Sequence, residues 1–153
     1  MIYVNSILQP GETVRVIGRL HWIVYGRAIA LLAAGIVLLI YAQTLAPQIA
    51  RPVGWIGWGV VVLAALAALQ AWFVRWTTEL AITSTRVVYK RGFLRRYTVE
   101  MNMDKVETVN VEQSLTGRLL DYGSIRVLGS GQGIEHLDRI ATPIRLRNAI
   151  IAR

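Results

Sequence analysis

The stretch FVRWTTELAITSTRVVYK, residues 73–90, decides how this chain is to be read. From Pro52 to Val74 the sequence carries no charge and is almost wholly apolar. After Arg75 apolar and polar residues alternate. A helix that is hydrophobic on every side therefore gives way to strands with one dry and one wet face.

Upstream of this junction lie two long uncharged runs. Between Arg27 and Arg51 stand 23 residues without a formal charge, and between Arg51 and Arg75 stand another 23, PVGWIGWGVVVLAALAALQAWFV. A helix of that length rises about 34 Å, enough to cross a hydrocarbon core of about 30 Å. The runs also explain the 54% hydrophobic content, which is high for a soluble domain of 153 residues. The chain after Arg75 is too short to cover two helices that are apolar all round, so a buried hairpin in a soluble protein does not fit. Nor does a cleaved signal peptide, because about 20 mixed polar residues precede the first run and no small-residue cleavage signal follows it.

Charge bias sets the orientation. Arg15, Arg19 and Arg27 precede the first span and Arg75, Arg86, Lys90 and Arg91 follow the second, whereas the connection TLAPQIARP carries only Arg51. Both termini are therefore expected on the cytoplasmic side of a multi-pass protein of the inner (cytoplasmic) membrane. The absence of cysteine agrees with a cytoplasmic soluble part. Three parts result: an N-terminal cytoplasmic segment 1–24, a helical hairpin 25–75 with spans at about 25–46 and 53–74, and a cytoplasmic domain 76–153. Trp22, Tyr25, Trp55, Trp58, Trp72 and Trp76 stand near the span ends, where aromatic rings suit the headgroup level, although Trp58 and Trp72 also suit packing against the other helix. Gly26, Ala30 and Ala34, with Ala64/Ala68 and Ala67/Ala71, form small-residue stripes at which helices can approach within one hairpin or between two copies.

Downstream, TELAIT, TRVVYK, RRYTVEM, VETVNVEQ, SIRVLG and IEHLDRI read as six strands, separated by turn signals that include Gly92, which is expected at positive φ. Val87 and Tyr89 share a face, as do Tyr97, Val99 and Met101, then Val109 and Val111, then Ile125 and Val127. The opposite faces are largely charged or polar, as in antiparallel sheets with one solvated side. SLTGRLLDYG, residues 114–123, is too long for a hairpin turn and reads as a helical turn capped by Ser114. Its Leu115, Leu119 and Leu120 are expected to plug one end of the sheet, with Tyr122 as an anchor and Gly123 as the terminator. Thr142-Pro143 marks the start of a C-terminal amphipathic helix whose Leu146 and Ile150 lie one turn apart. The fold class is thus a two-span transmembrane helical hairpin and a small mainly-β domain of two packed antiparallel sheets with a C-terminal helix.

In this arrangement the sequence resembles the bacterial pleckstrin-homology-like membrane proteins, the bPH2 (DUF304) family with its YdbS-like members. The matching words are PGE at Pro10 to Glu12, His21 before the first span, TSTRVVYKRGFLRRYTVEMNMDKVETVNVEQSLTGRLLDYGSIRVLGSG from Thr83 to Gly131, and IATPIRLRNAI from Ile140 to Ile150. The resemblance implies a PH-like sheet sandwich closed by a C-terminal helix, without an established catalytic centre or ligand site. The chain departs from the usual wording at Ser84-Thr85, where Asn-Arg is common, and at Asp121, where Gly is common. A PH fold has seven strands. The seventh is either TVRVI, residues 13–17, or a strand within the C-terminal part.

The residues offer little chemistry. No Cys pair, H-E-x-x-H, G-x-G-x-x-G or Walker A pattern is present. His21 reads as an interfacial or hydrogen-bonding residue. His136 and Asp138 can share a strand face, which is too few ligands for a metal. Ser114 lacks a nucleophile elbow, and Glu112 and Asp121 are not paired as acid and base. No enzymatic activity, cofactor or metal is expected. Glu79, Glu100, Glu107 and Glu112 dilute the basic character of the sheet, so no nucleic-acid partner is expected either.

One concentration of charge remains. TSTRVVYKRGFLRR, residues 83–96, holds five of the chain's 17 basic residues: Arg86, Lys90, Arg91, Arg95 and Arg96. They form a candidate surface for lipid or a partner, or else a solvated face that keeps the domain cytoplasmic. The function expected is a non-enzymatic, membrane-anchored interaction or assembly module at the cytoplasmic face. An anionic headgroup-binding module and a structural subunit of a larger membrane or secretion-related complex are the alternatives. Its partners would be membrane lipids, a membrane or cytoplasmic protein, or a second copy of the chain.

Overall fold

The computed structural model describes residues 8–92, 97–129 and 134–151, the side chains of 134–136 excepted. The chain divides into a sheet unit, residues 8–21 with 74–151, and a helical unit, residues 22–73.

The helical unit opens with a 3-10 turn, Trp22–Tyr25, which runs into helix α1, Gly26–Ala42; α2, Pro47–Thr77, follows and extends past the unit's end. Proline at the first position of α2 suits a residue whose N–H would have no helical acceptor there. The two helices meet through Gly35 and Gly57. A Cβ on Gly35 would come within 2.8 Å of Val61 Cγ2, and one on Gly57 within 2.9 Å of Leu39 Cδ2. The buried seam is Ala28, Gly35 and Ala42 on α1 facing Gly57 and Ala64 on α2. Small residues thus line the contact, but at seven-residue rather than four-residue spacing. Of the stripes read from the sequence, Ala64 lies in the seam and Gly26, Ala67, Ala68 and Ala71 are half-buried, whereas Ala30 and Ala34 are exposed. The physical reason is that long helices crossing at a shallow angle meet once every two turns.

The other faces of the pair are apolar and uncovered, with Val37 63%, Leu69 60% and Trp55 78% exposed. Trp58 and Trp72 are also exposed, so neither packs into a helix–helix core. Both helices are long and apolar enough to cross a membrane, with 18-residue windows of mean hydropathy 2.3 within Trp22–Ala42 and 2.0 within Pro47–Thr77. An apolar cleft of about 500 Å³ lies between them, lined by Tyr25, Ala28, Leu32, Val61 and Ala64 among others.

All six strands expected after the helices form, and TVRVI supplies the seventh. Strands β1 (Val14–Gly18), β2 (Glu79–Thr83), β3 (Arg86–Arg91) and β4 (Tyr97–Asn102) make one antiparallel sheet in that order. Strands β5 (Val106–Glu112), β6 (Tyr122–Gly129) and β7 (Ile134–Ala141) make the second. A short helix α3 (Leu115–Leu119) joins β5 to β6, and helix α4 (Pro143–Ile151) follows β7. The segment before the helical pair is therefore part of the sheet unit, with Gly18 opposite Leu80 and Ile17 opposite Ala81.

The core lies where the alternation puts it. Ile82, Val87, Tyr89 and Met101 of the first sheet pack with Ile125, Val127, Leu137 and Ile140 of the second, and Leu146 and Ile150 of α4 complete the cluster. The outer face is drier than the sequence implies, since Ala81 and Val88, paired across β2 and β3, are also buried. Pro143 begins α4 as expected. Thr142 before it has φ +48°, outside the extended range of an ordinary N-cap, and its N–H donates to the Asp121 carbonyl at 3.0 Å.

Candidate functional site

The β-strands run between two ends of the sandwich, and the polar residues divide between them. At the end holding Val14, Thr83, Arg86 and Asn102, the PGE turn folds against the β2–β3 connection. Gly11 has φ +85°, which lets the Glu12 N–H donate to the Gln9 carbonyl at 2.9 Å while the Gln9 N–H donates back to Glu12 Oε2 at 2.9 Å. Glu12 thereby enters a cage of donors. Arg86 grips it in two places, Nε to Oε1 at 3.0 Å and an η nitrogen to Oε2 at 2.8 Å. The hydroxyls of Thr83 and Thr85 also donate to Oε1, at 2.6 and 2.8 Å. The other η nitrogen of Arg86 donates to Glu100 Oε2 at 2.8 Å.

This is a charge-assisted clamp with a bidentate fork at its centre. The Glu12 side chain is 1% exposed and that of Arg86 is 13% exposed. The Arg86 hydrogen bond holds the Glu12 carboxyl down at about 2, against an ordinary 4.5, despite burial acting in the opposite direction. The same carboxylate raises the Arg86 guanidinium above its ordinary value. The clamp joins the segment before β1 to β3 and β4 across more than 70 positions of sequence. Arg86 is therefore tied into the fold by Glu12 and Glu100. Periodicity placed it on the polar face but had no means of pairing it with Glu12.

Lys90 and Arg91 lie at the opposite end. Lys90 is half-buried and stands between Glu79 and Thr98 in the sheet register. Arg91 is exposed, opposite Tyr97, about 16 Å along β3 from Arg86. Gly92 follows with φ +90°, as its place in the turn requires. Arg95 and Arg96 lie outside the described residues. Glu79 is two positions after the end of α2, so this hairpin sits at the end of the sheet where the chain returns from the helical pair.

The chain also departs for the helices from this end. Leu20 bridges Ile140, the His21 N–H donates to the Arg139 carbonyl at 2.7 Å, and the His21 ring stacks on Tyr122 with centroids 5.2 Å apart at 24°. His21 is buried and structural, in keeping with a hydrogen-bonding role, and residue 22 starts the apolar segment. Tyr122 anchors the α3 turn through its hydroxyl and Thr116 at 3.1 Å. Ser114 caps that turn, accepting from the Gly117 N–H at 3.1 Å. A Cβ on Gly117 would lie 2.6 Å from the Tyr122 carbonyl oxygen, so only glycine lets the turn close this tightly. The turn ends through Asp121 at φ +56°, a left-handed conformation that glycine adopts more readily, rather than at Gly123.

The leucines of this turn do not plug the sheet. Leu115 is 84% exposed, Leu119 85% and Leu120 38%. The core is completed by α4 instead, whose Leu146 and Ile150 belong to it. Among the described residues no group of three or more His, Asp or Glu could hold a metal ion, and the side chain of His136 lies outside them.

Two antiparallel sheets of four and three strands with a C-terminal helix are the architecture implied by the sequence words, and the family comparison agrees. A model of the bacterial PH domain, bPH_2, matches residues 13–150. The chain belongs to this family. No curated protein and no solved structure matches it. The matched residues of this bacterial PH domain begin one position before β1 and end within α4, so the segment before the helices and the helical pair itself both lie inside the family's span. Membership of this family supports a generic interaction or lipid-binding module.

Proposed function

We propose that this bacterial PH-domain protein is a non-enzymatic interaction or assembly module anchored in the cytoplasmic membrane, its helical pair crossing twice and its sheet unit held at the cytoplasmic face for a protein partner. One observation carries the reading: the apolar pair is inserted between β1 and β2, which are hydrogen-bonded neighbours in one sheet. Residues before and after the pair belong to one folded unit and must lie on one side of any membrane. The crossing number is then even, and the flanking arginines favour the cytoplasmic side. Two covalent tethers rather than one also restrict how the domain can turn, which suits a surface that must meet a membrane-bound partner in one orientation.

The chain has no cysteine, so single cysteines report cleanly. In intact cells an impermeant thiol reagent is expected to label Ala46→Cys, between the two helices, and to leave a cysteine appended after Arg153 unlabelled until the cells are opened. Labelling of the appended site from outside would overturn the orientation.

A second reading is favoured by the register of Glu79 with Lys90, which sets the Arg91 hairpin at the sheet end joined to α2. There the hairpin can attract anionic headgroups, Arg91 together with Arg95 and Arg96 supplying the charge. Full-length protein in nanodiscs of mixed phosphatidylglycerol and phosphatidylcholine is expected to retain phosphatidylglycerol preferentially on delipidation. Reversing all three arginines to glutamate should lower that enrichment about twofold or more, and salt should lower it in the wild type. Equal enrichment in both proteins would leave protein contacts as the use of this end of the sheet.

A further inference from the structure

We infer that the α3 turn is a lipid-inserting wedge: Leu115 and Leu119 enter the boundary of the same membrane that the helical pair crosses, beside the point at which the chain enters it. The inference rests on the membrane reading above. It adds a third contact, made by the sheet unit itself.

The first support is the kind of exposure. Leu115 and Leu119 are one helical turn apart and therefore share a face, and both are more than four-fifths exposed. Single exposed leucines are ordinary, but two on one face of a five-residue turn make a projecting apolar tip.

The second is that the tip is built rather than slack. The Gln113 amide donates to the Tyr122 carbonyl at 3.2 Å, Ser114 caps the turn, the Tyr122 hydroxyl meets Thr116, and Gly117 is buried against the Tyr122 backbone. This scaffold fixes the backbone on both sides of the leucines and directs them away from the core. A turn that had merely failed to pack would not be tied at so many points.

The third is location. Tyr122, three residues after Leu119, stacks on His21, and the apolar segment starts at the next residue, Trp22. Along the chain the apolar segment thus begins one residue after the ring partner of Tyr122, the residue that anchors the base of the tip. Arg118, exposed beside Leu119, adds a side chain whose stem can lie along apolar surface while its guanidinium stays among headgroups. Leucines flanked by a basic residue match a lipid interface better than a water-filled one.

The test uses the full chain in proteoliposomes, with one nitroxide attached to a single cysteine at a time. Leu119→Cys reports the tip. Val62→Cys, exposed in the middle of α2, reports whether that helix is in lipid, and Asp104→Cys, at the far end of β5 from the tip, reports water. Collisions with oxygen, which partitions into lipid, are compared with those of a water-soluble nickel chelate. The Leu119 probe is expected to favour oxygen as Val62 does, with nickel access several-fold below that of Asp104, and Leu115→Cys should repeat the result. Nickel access equal to Asp104 while Val62 is lipid-exposed would overturn the wedge and leave the membrane reading standing. A probe shielded from both reagents would overturn it in favour of a protein contact. A Val62 probe in water would overturn the membrane reading and the wedge together.

Discussion

Removing residues 142–153 is expected to abolish the protease resistance of the sheet unit. Helix α4 is no accessory: it touches β1 and β2 of one sheet and β5 and β6 of the other. Leu146 is 1% exposed and Ile150 7%, both in one cluster with Ile82, Ile125 and Ile140. Without α4 those faces meet water, and the two sheets lose the element that holds them together. Truncating Leu146 to alanine should by itself cost about 3 kcal/mol, from lost burial and the cavity left behind. Alanine at the exposed Arg147 on the same helix should cost no more than about 0.5 kcal/mol. Limited proteolysis and thermal unfolding of the full-length protein in detergent provide the comparison. Unchanged resistance after the deletion would show that the sheets close on each other unaided.

The second large effect belongs to the clamp. Changing Glu12 to glutamine removes the carboxylate on which Arg86, Thr83 and Thr85 converge and leaves Arg86 with Glu100, whose side chain is 35% exposed. Loss of a covered, charge-assisted contact of this kind is expected to cost about 2–3 kcal/mol. Arg86→Lys should recover little of it when tested alone, because an ammonium cannot reproduce the two-pronged grip.

Acid separates this contribution from general destabilisation. In the folded chain the Glu12 carboxyl is held at about 2, and in the unfolded chain it returns to about 4.5. Between those values the unfolded state binds the extra proton, so the contribution is complete above about pH 4.5 and disappears as the pH falls through 2. Wild type should therefore lose stability over that window relative to E12Q, and their unfolding curves should approach each other toward pH 2. A constant separation from pH 6 to pH 2 would mean that Glu12 acts through packing rather than charge.

Much of this organisation was legible because periodicity is local. The 23-residue uncharged runs specified two apolar helices, alternation specified six strands and the faces of Val87, Tyr89, Ile125 and Val127, and the Thr142-Pro143 step specified where α4 begins. The resemblance to the bPH2 family rested on words from the same segments. Gly92 at positive φ and Ser114 as a cap are local in the same sense, since each answers to neighbours within a few positions.

What only the tertiary structure decided is which distant residues meet. Val14 pairs with Thr83, and Glu12 meets Arg86, across the whole length of the intervening helical pair, and no period within either segment encodes such a partner. That distinction settled TVRVI as the seventh strand and showed Arg86 clamped between Glu12 and Glu100. It also exposed Leu115 and Leu119, whose apolar character alone suggested burial, while Leu146 and Ile150 of α4 entered the core. Sequence determines which side of an element is apolar. Whether that side faces the core, the lipid or another element depends on space that other elements compete to occupy, and that competition is resolved only when the whole chain packs.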